Sequence, residues 1–465
     1  MSDRIIKTIN PSTGKVIATY DIMSSEEIHT RVHNAKSAQK NWKNLDISER
    51  SAYIRSLGRV LRKNKNEYSQ LITEEMGKPI RQAIAEIEKC VWLCDYYSEH
   101  SETFLREELI PTEFRKSFVS FEPLGLVAGI MPWNFPFWQA MRFAVPALVA
   151  GNVEILKHSS VCLGSALKLE EAFTNAGFPE NIFQSVIGDA RVGEALIQSQ
   201  IDAVSVTGSV GTGKRVAELA SRDLKKFVLE LGGSDPFIVL EDADLTQTAH
   251  MATQSRLLNT GQSCISAKRF IVLKEVADKF TKLFVEETEA EVLGDPMDSR
   301  TTVGPLVRES QRQSLVKQVE DAKIKQATVL TGGMARDGDG YFFEPTILTD
   351  VTHDMNIIRE EVFGPAAPII VVNNEQEAIA EANNSEFGLG ASIWTNNVER
   401  GIKLARHIQS GIVSINEMVK SDPRMPFGGI KLSGIGRELS EFGIKEFVNI
   451  KSVVVKDIAS KLLVE

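Results

Sequence analysis

One of the four cysteines in this chain sits where a thiol can react. Cys264 lies in Asn259-Thr-Gly-Gln-Ser-Cys-Ile-Ser-Ala-Lys-Arg269, with small and polar residues before it and a strand-like run after it. Structural cysteines usually sit in apolar runs. A thiol in a polar turn reaches substrate and is open to ionisation by nearby dipoles, as nucleophilic catalysis requires. Glu230 ends the strand-like run Lys226–Glu230 and meets Leu231-Gly-Gly-Ser-Asp-Pro236. A carboxylate at a strand's carboxyl end, beside glycines that let the backbone approach a ligand, suits a general base. The alternative is an exposed strand-end charge. Asn134 lies in Met131-Pro-Trp-Asn-Phe-Pro-Phe137, a loop stiffened by two prolines and three aromatics. A side-chain amide held there could be a preorganised oxyanion donor, or the stretch could be only a packed turn.

These residues are far apart in the chain, so the fold must bring them together. Helical patterns run from Ser24 to Phe104, and Arg115 to Glu122 alternates like a strand between Pro111 and Pro123. From Asn152 onward strands and helices alternate. Strand-like runs at Val153–Lys157, Phe183–Ile187, Ala203–Val206 and Lys226–Glu230 are separated by helical stretches at Ser160–Ala176, Val192–Gln198 and Gly213–Ser221. A second series opens with Pro236–Leu240, a helix near Leu245–Leu258 and a strand at Arg269–Leu273. Such alternation predicts βαβ units on parallel sheets. The chemistry should then lie in a cleft between two α/β units.

The turn Gly208-Ser-Val-Gly-Thr-Gly213-Lys-Arg215 has the glycine spacing of a phosphate loop. Arg215 stands where a Ser or Thr would hold Mg²⁺, so a nucleoside triphosphatase is disfavoured. Val216 likewise breaks the G-x-G-x-x-G pattern. A small-residue turn before a helix still exposes N–H groups suited to a pyrophosphate, although a mere tight turn explains it equally.

The 465 residues exceed one hydrophobic core, and 43 % hydrophobic with 25 % charged residues is an ordinary globular balance. A net charge of −9 argues against nucleic acid or an anionic membrane as partner. Cys90 and Cys94 stand four apart in a helical pattern and read as small core residues; Cys162 completes the set without zinc spacing. Met1 to Pro11 carries charges and no apolar stretch of a signal peptide, and no run approaches the roughly 20 apolar residues of a membrane span. A cytoplasmic location is expected. No G-x-S-x-G elbow or H-E-x-x-H motif supports a serine hydrolase or metalloenzyme, and no metal is expected.

Taken in order, these motifs resemble the aldehyde dehydrogenase superfamily. They are Pro132-Trp-Asn-Phe-Pro136, the Lys157 strand end, Thr207-Gly-Ser209, Glu230-Leu-Gly-Gly233, Gly261-Gln-Ser-Cys264, Glu361-Val-Phe-Gly-Pro365 and Pro426-Phe-Gly-Gly429. The resemblance runs from Asn10 to about Phe447. It implies an α/β fold with a Rossmann-like cofactor domain (1–104 and 124–230), an α/β catalytic domain (231–435) and a small β oligomerisation element (105–123 and 436–465). It also implies a reaction in which Cys264 attacks an aldehyde, Asn134 and the Cys264 N–H hold the oxyanion, and Glu230 activates the water that hydrolyses a thioester. A CoA-acylating relative usually lacks that base. A non-catalytic nucleotide binder would be expected to lack Cys264, Glu230 or Asn134.

The same resemblance puts Trp133, Gly208 and Ser209 near the cofactor pyrophosphate, Lys157 at the adenosine ribose, and Glu361 and Phe363 at the nicotinamide. Where many NAD-preferring relatives carry a Glu, this chain has Ser160, so NADP is expected to be preferred and NAD also accepted. Within the superfamily the likeness is to bacterial-type succinate-semialdehyde dehydrogenases, through Phe135-Pro-Phe-Trp-Gln-Ala-Met-Arg142 and Lys420-Ser-Asp-Pro-Arg424. Arg142 and Ser421 would then touch the substrate carboxylate. Some relatives add an arginine where this chain has Leu258, which leaves glutarate semialdehyde, lactaldehyde and other small aldehydes as alternatives. With no second cysteine beside Cys264, no local disulfide switch is expected. In the family the run matching Phe447–Val455 pairs with a partner subunit, together with the strand hairpin around Glu107 to Glu122, so the resemblance implies a homodimer or homotetramer.

Overall fold

The computed structural model describes residues 5–456. The expected first and third units extend into 1–4 and 457–465, which lie outside the described residues. Two large sheets organise the chain. The first has six strands in the order Gly434–Ile435, Lys226–Glu230, Ala203–Thr207, Leu126–Met131, Val153–His158 and Phe183–Val186. All its pairings are parallel except that of Gly434–Ile435 with Lys226–Glu230. The second has seven strands, ordered Thr328–Thr331, Thr346–Thr349, Ala366–Val372, Ala267–Leu273, Asp235–Val239, Gly390–Trp394 and Ile412–Ile415. Its pairings are parallel apart from the first.

Helices cover both faces of a parallel sheet, so its central strands should be apolar throughout. Val153–His158, Ala203–Thr207, Asp235–Val239, Ala267–Leu273 and Gly390–Trp394 are buried at every residue. The helix Pro136–Val149 is also buried along its whole length, with Gln139 and Arg142 as its polar exceptions. Its N-terminus is closed by a carboxylate from elsewhere in the chain. Glu86 accepts from Phe137 N and Trp138 N at 2.9 and 3.0 Å and is ion-paired with fully buried Lys78. Glu75 does the same for the helix Leu163–Asn175, accepting from Gly164 N and Ser165 N at 2.7 and 2.9 Å. Anions at helix N-termini are favoured by the orphan N–H groups there. These two contacts fasten the N-terminal helices to the first sheet.

Two expected boundaries shift. The helix expected from Ser160 starts at Leu163, leaving Ser160 in the preceding turn. The helix expected from Gly213 starts at Val210, because the Ser209 side chain caps it by accepting from Thr212 N. Gly211 and Gly213 are therefore helical, and only Gly208 of that trio belongs to the turn.

Leu126–Met131 pairs on one side with Val153–His158 and on the other with Ala203–Thr207. The chain leaves this strand in one direction and later returns on its other flank. Ligands of open α/β sheets bind where the strand order reverses in this way, at the carboxyl ends.

A third, antiparallel sheet joins Val448–Val455, Lys116–Pro123 and Glu108–Leu109. The run Phe447–Val455 thus finds its first partner within its own chain. Ile450, Val454 and Val455 remain exposed on what is an edge strand. Among the described residues, no helix is long and apolar enough to cross a membrane.

Candidate active site

A cleft of about 780 Å³ opens at that reversal, lined by Met131–Asn134 after one strand and Thr207–Ser209 after the next. The second unit closes it with Cys264, Glu361 and Phe363. Trp133, Asn134, Lys157, Gly208, Ser209, Glu361, Phe363 and Cys264 are thus brought together in one cleft. Glu230, Ser160, Arg142 and Ser421 are not among its lining residues.

Cys264 follows a backbone that no ordinary loop adopts. Asn259, Thr260 and Gly261 all have left-handed φ values of 54°, 58° and 73°. For a β-branched residue this conformation is strained and must be held by its surroundings. Thr260 Oγ1 accepts from Gly304 N at 3.0 Å, and the Asn259 amide donates to the carbonyls of Asn134 and Gln262 at 2.8 and 3.1 Å. Gly261 has no space for a side chain, since a Cβ would stand 2.3 Å from the Gly364 carbonyl oxygen. Two buried cations grip the loop's carbonyls. Arg256 donates to Gly261 O and Ala267 O at 2.7 and 2.8 Å. Lys268 Nζ donates to Ser263 O, Cys264 O and Ser266 O at 2.9, 2.7 and 3.2 Å. Each was passed over in the sequence, although both are charges inside otherwise buried elements.

The thiol is half-buried, and burial pushes it up to about 12 against the opposing pull of Arg142 and Lys268. In the resting protein it is therefore a thiol, and nucleophilic attack must be coupled to loss of its proton. Among the described residues the Cys264 N–H meets no backbone or side-chain acceptor. Asn134 Nδ2 donates to Gln262 O at 3.1 Å, which fixes the amide and leaves one N–H free. Two free donors beside a nucleophile are what a developing oxyanion needs.

Glu230 is 2 % exposed, and neither of its carboxylate oxygens has a hydrogen-bond partner among the described residues. Burial and then the nearby Glu438 carboxylate raise it well above the usual carboxylate range, while Arg142 and Arg437 pull it down. Such a group gives up its proton less readily than an exposed carboxyl and is the stronger base once that proton has left.

Arg142 is 1 % exposed and ion-paired with buried Glu438, donates to Thr207 Oγ1 at 3.3 Å, and stands 4.4 Å from the Phe427 ring centroid. The expectation of a guanidinium free for a substrate carboxylate meets one already engaged inside the protein. Removing one partner of a buried ion pair leaves an uncompensated charge, at a cost of about 3–5 kcal/mol. Arg142→Ala is therefore expected to lower the unfolding temperature and to reduce kcat/KM alike for charged and uncharged aldehydes. A selective rise of KM for a carboxylated aldehyde would instead make the guanidinium a substrate ligand. Ser421 is buried outside the cleft, where its hydroxyl accepts from Lys89 Nζ at 2.6 Å.

The cofactor end fits a nucleotide on its donor chemistry. Ser209 takes Thr212 N, and the other first-turn N–H groups of Val210–Ser221 have no partner within the helix. Lys157, 8 % exposed, makes no ion pair among the described residues. Trp133 and Phe363 meet edge to face at 5.7 Å. Glu361 accepts from Gly233 N at 3.0 Å, and a Cβ on Gly233 would stand 2.6 Å from Cys264 O. Gly233 thus lets Glu361 and the nucleophile loop pack closely against the chain that follows Glu230. Arg215, ion-paired with Glu194 at 2.8 Å, lines the same cleft, a place that its position in the glycine turn does not signal.

Comparison with known proteins agrees with this fold. The Aldehyde dehydrogenase family matches residues 1–453. A probable NADP(+) succinate-semialdehyde dehydrogenase of Synechocystis sp. is 46 % identical over 449 residues, 96 % of this chain and 99 % of the relative. The NAD(P)+ succinate semialdehyde dehydrogenase Sad of Escherichia coli is 42 % identical over 447 residues, 96 % and 97 % of the two chains. The crystal structure of succinic semialdehyde dehydrogenase from Streptococcus pyogenes with NADP+ superposes with a TM-score of 0.95 at 36 % identity, covering 97 % of this chain and 100 % of that one. On its sequence, its fold and the convergence of its cleft, this chain belongs to the aldehyde dehydrogenase family.

Proposed function

We propose that this protein oxidises succinate semialdehyde to the dicarboxylate, with NADP+ preferred and NAD+ accepted, through a thioester on Cys264. The observation that carries the reading is the convergence of Cys264, Asn134 and the capped helix end at Ser209 on one cleft. The substrate rests on the likeness to succinate-semialdehyde dehydrogenases across nearly the whole chain.

In this reading the Cys264 Sγ gives its proton to a solvent water and bonds to the aldehyde carbon. The former carbonyl oxygen becomes an oxyanion, held by Asn134 Nδ2 and the Cys264 N–H. A nicotinamide nucleotide, when bound, supplies the acceptor for the hydride that leaves that carbon. Glu230 then takes a proton from water as its oxygen attacks the thioester carbon. The C–S bond breaks, Cys264 is released, and the carboxylate product forms. Trp133, Lys157, Ser160, Gly208 and Ser209 would hold the nucleotide, with Glu361 and Phe363 at its reactive end. Ser160 carries no charge to repel a 2′-phosphate, and Lys157 can pair with one.

The six-stranded unit serves as cofactor domain and the seven-stranded unit as catalytic domain. The antiparallel sheet with its exposed edge supports assembly into a homodimer or homotetramer. Light scattering should then give two or four times the 51.4 kDa chain mass; a monomer would contradict this. The direct test follows absorbance at 340 nm with succinate semialdehyde and either nucleotide. Reduction of both, with the larger kcat/KM for NADP+, is expected. No reduction of either would remove this substrate, and a larger value for NAD+ would remove the cofactor preference.

A further inference from the structure

Lys89 lies on the helix Ile80–Phe104, half-buried, and has no anion of its own. Its Nζ donates to Ser421 Oγ and stands 4.3 Å from the Trp138 ring centroid; among the described residues it makes no ion pair. The two carboxylates whose fields reach it are engaged elsewhere. Glu86 is paired with Lys78 and caps the helix Pro136–Val149. Asp422 is held by the Arg424 guanidinium at 2.6 and 2.9 Å. A cation drawn out of water without a counter-ion is costly unless a ligand supplies the charge.

Two further donors stand beside it without acceptors. Ser421 Oγ accepts from Lys89, so its own hydrogen remains to be given. The Trp138 indole N–H is buried with no hydrogen-bond partner among the described residues. A cation with two vacant donors is an arrangement for a carboxylate. One buried charge links this group to the nucleophile. Trp138 and Arg142 are four apart on one helix and so share a face, and the Arg142 charge acts on both Lys89 and the Cys264 thiol. The segment before Ser421 packs through Val419 against Gly390, whose N–H donates to Asp235 beside Gly233 and the Cys264 carbonyl. Burial and the Arg142 charge push the Lys89 ammonium down to about 8, so it still carries its proton at neutral pH.

We propose that Lys89, with the Ser421 hydroxyl and the Trp138 N–H beside it, binds the distal carboxylate of the aldehyde substrate and sets the preference for a carboxylated chain. This rests on the substrate reading above, and deepens it. The measurement is the ratio of kcat/KM for succinate semialdehyde to that for butanal, in wild type, Lys89→Met and Lys89→Arg. A ratio is insensitive to any fraction of misfolded variant. It should fall at least tenfold in Lys89→Met and recover in part in Lys89→Arg. Protection of Cys264 from iodoacetamide should likewise need at least tenfold more succinate in Lys89→Met. Should Lys89→Met yield no soluble protein, Ser421→Ala carries the same expectation at several-fold size. A wild type that does not prefer the carboxylated aldehyde overturns the substrate reading. A wild-type preference that persists within twofold in these variants overturns the role of Lys89 alone.

Discussion

Cys264→Ala is expected to abolish nucleotide reduction, by a factor on the order of 10⁴ or more, while leaving the fold and nucleotide binding intact. Loss of the group that forms the covalent bond removes the pathway itself rather than slowing one step. Stability should change little, because the side chain is small and the loop is held by Arg256, Lys268 and Thr260 through other atoms. Stopped-flow absorbance at 340 nm, with calorimetric titration of NADP+ alongside, separates the two claims. Residual turnover above a few per cent would exclude Cys264 as the nucleophile. Lost turnover together with lost nucleotide binding would point to a structural role.

Glu230→Gln should show a different pattern. A single burst of reduction near one equivalent of enzyme is expected, followed by steady turnover slower by about 10²- to 10⁴-fold, the usual contribution of a general base. Acid quenching should then recover a thioester on Cys264. Equal losses of burst and steady rate would place Glu230 before thioester formation instead. The raised proton affinity of Glu230 also fixes two signs. Since only the ionised carboxylate can take a proton from water, wild-type hydrolysis should accelerate as pH rises above the ordinary carboxylate range. Stability runs the other way. The unfolded chain releases this proton at ordinary carboxylate pH and the folded chain only at higher pH. The group's favourable contribution is therefore complete at acid pH and lost as pH rises. Glu230→Gln cannot ionise, so its unfolding temperature should gain on wild type as pH rises above the ordinary carboxylate range. A constant difference over that rise would mean that Glu230 is already ionised in the folded protein.

Much of this was legible in the chain because it depends on local patterning. Strand and helix alternation from Val153 onward reflects side-chain periodicity, and a parallel sheet buried on both faces needs the apolar runs that mark its strands. The nucleophile loop was also legible, since a cysteine among small polar residues differs from one in an apolar run. Cys90 and Cys94, by contrast, are fully buried, as their helical spacing suggested.

Other features have no local signature. The Val210 helix start depends on one hydroxyl, Ser209, overriding the low helix propensity of two glycines. The environment of Arg142 depends on Glu438, almost three hundred residues further on. Whether that guanidinium is free or engaged is decided by packing between distant elements. Lys89 carried no signal at all, because an ammonium on a helical face is ordinarily solvated. Its neighbours Trp138 and Ser421 come from separate parts of the chain. The sequence by itself determined which residue types could do chemistry and which segments would carry them, since both follow from side-chain identity and period. The tertiary structure alone decided which charges are paired, which donors are vacant and which carboxyl has its proton affinity raised, because burial and through-space electrostatics depend on residues that no local window contains.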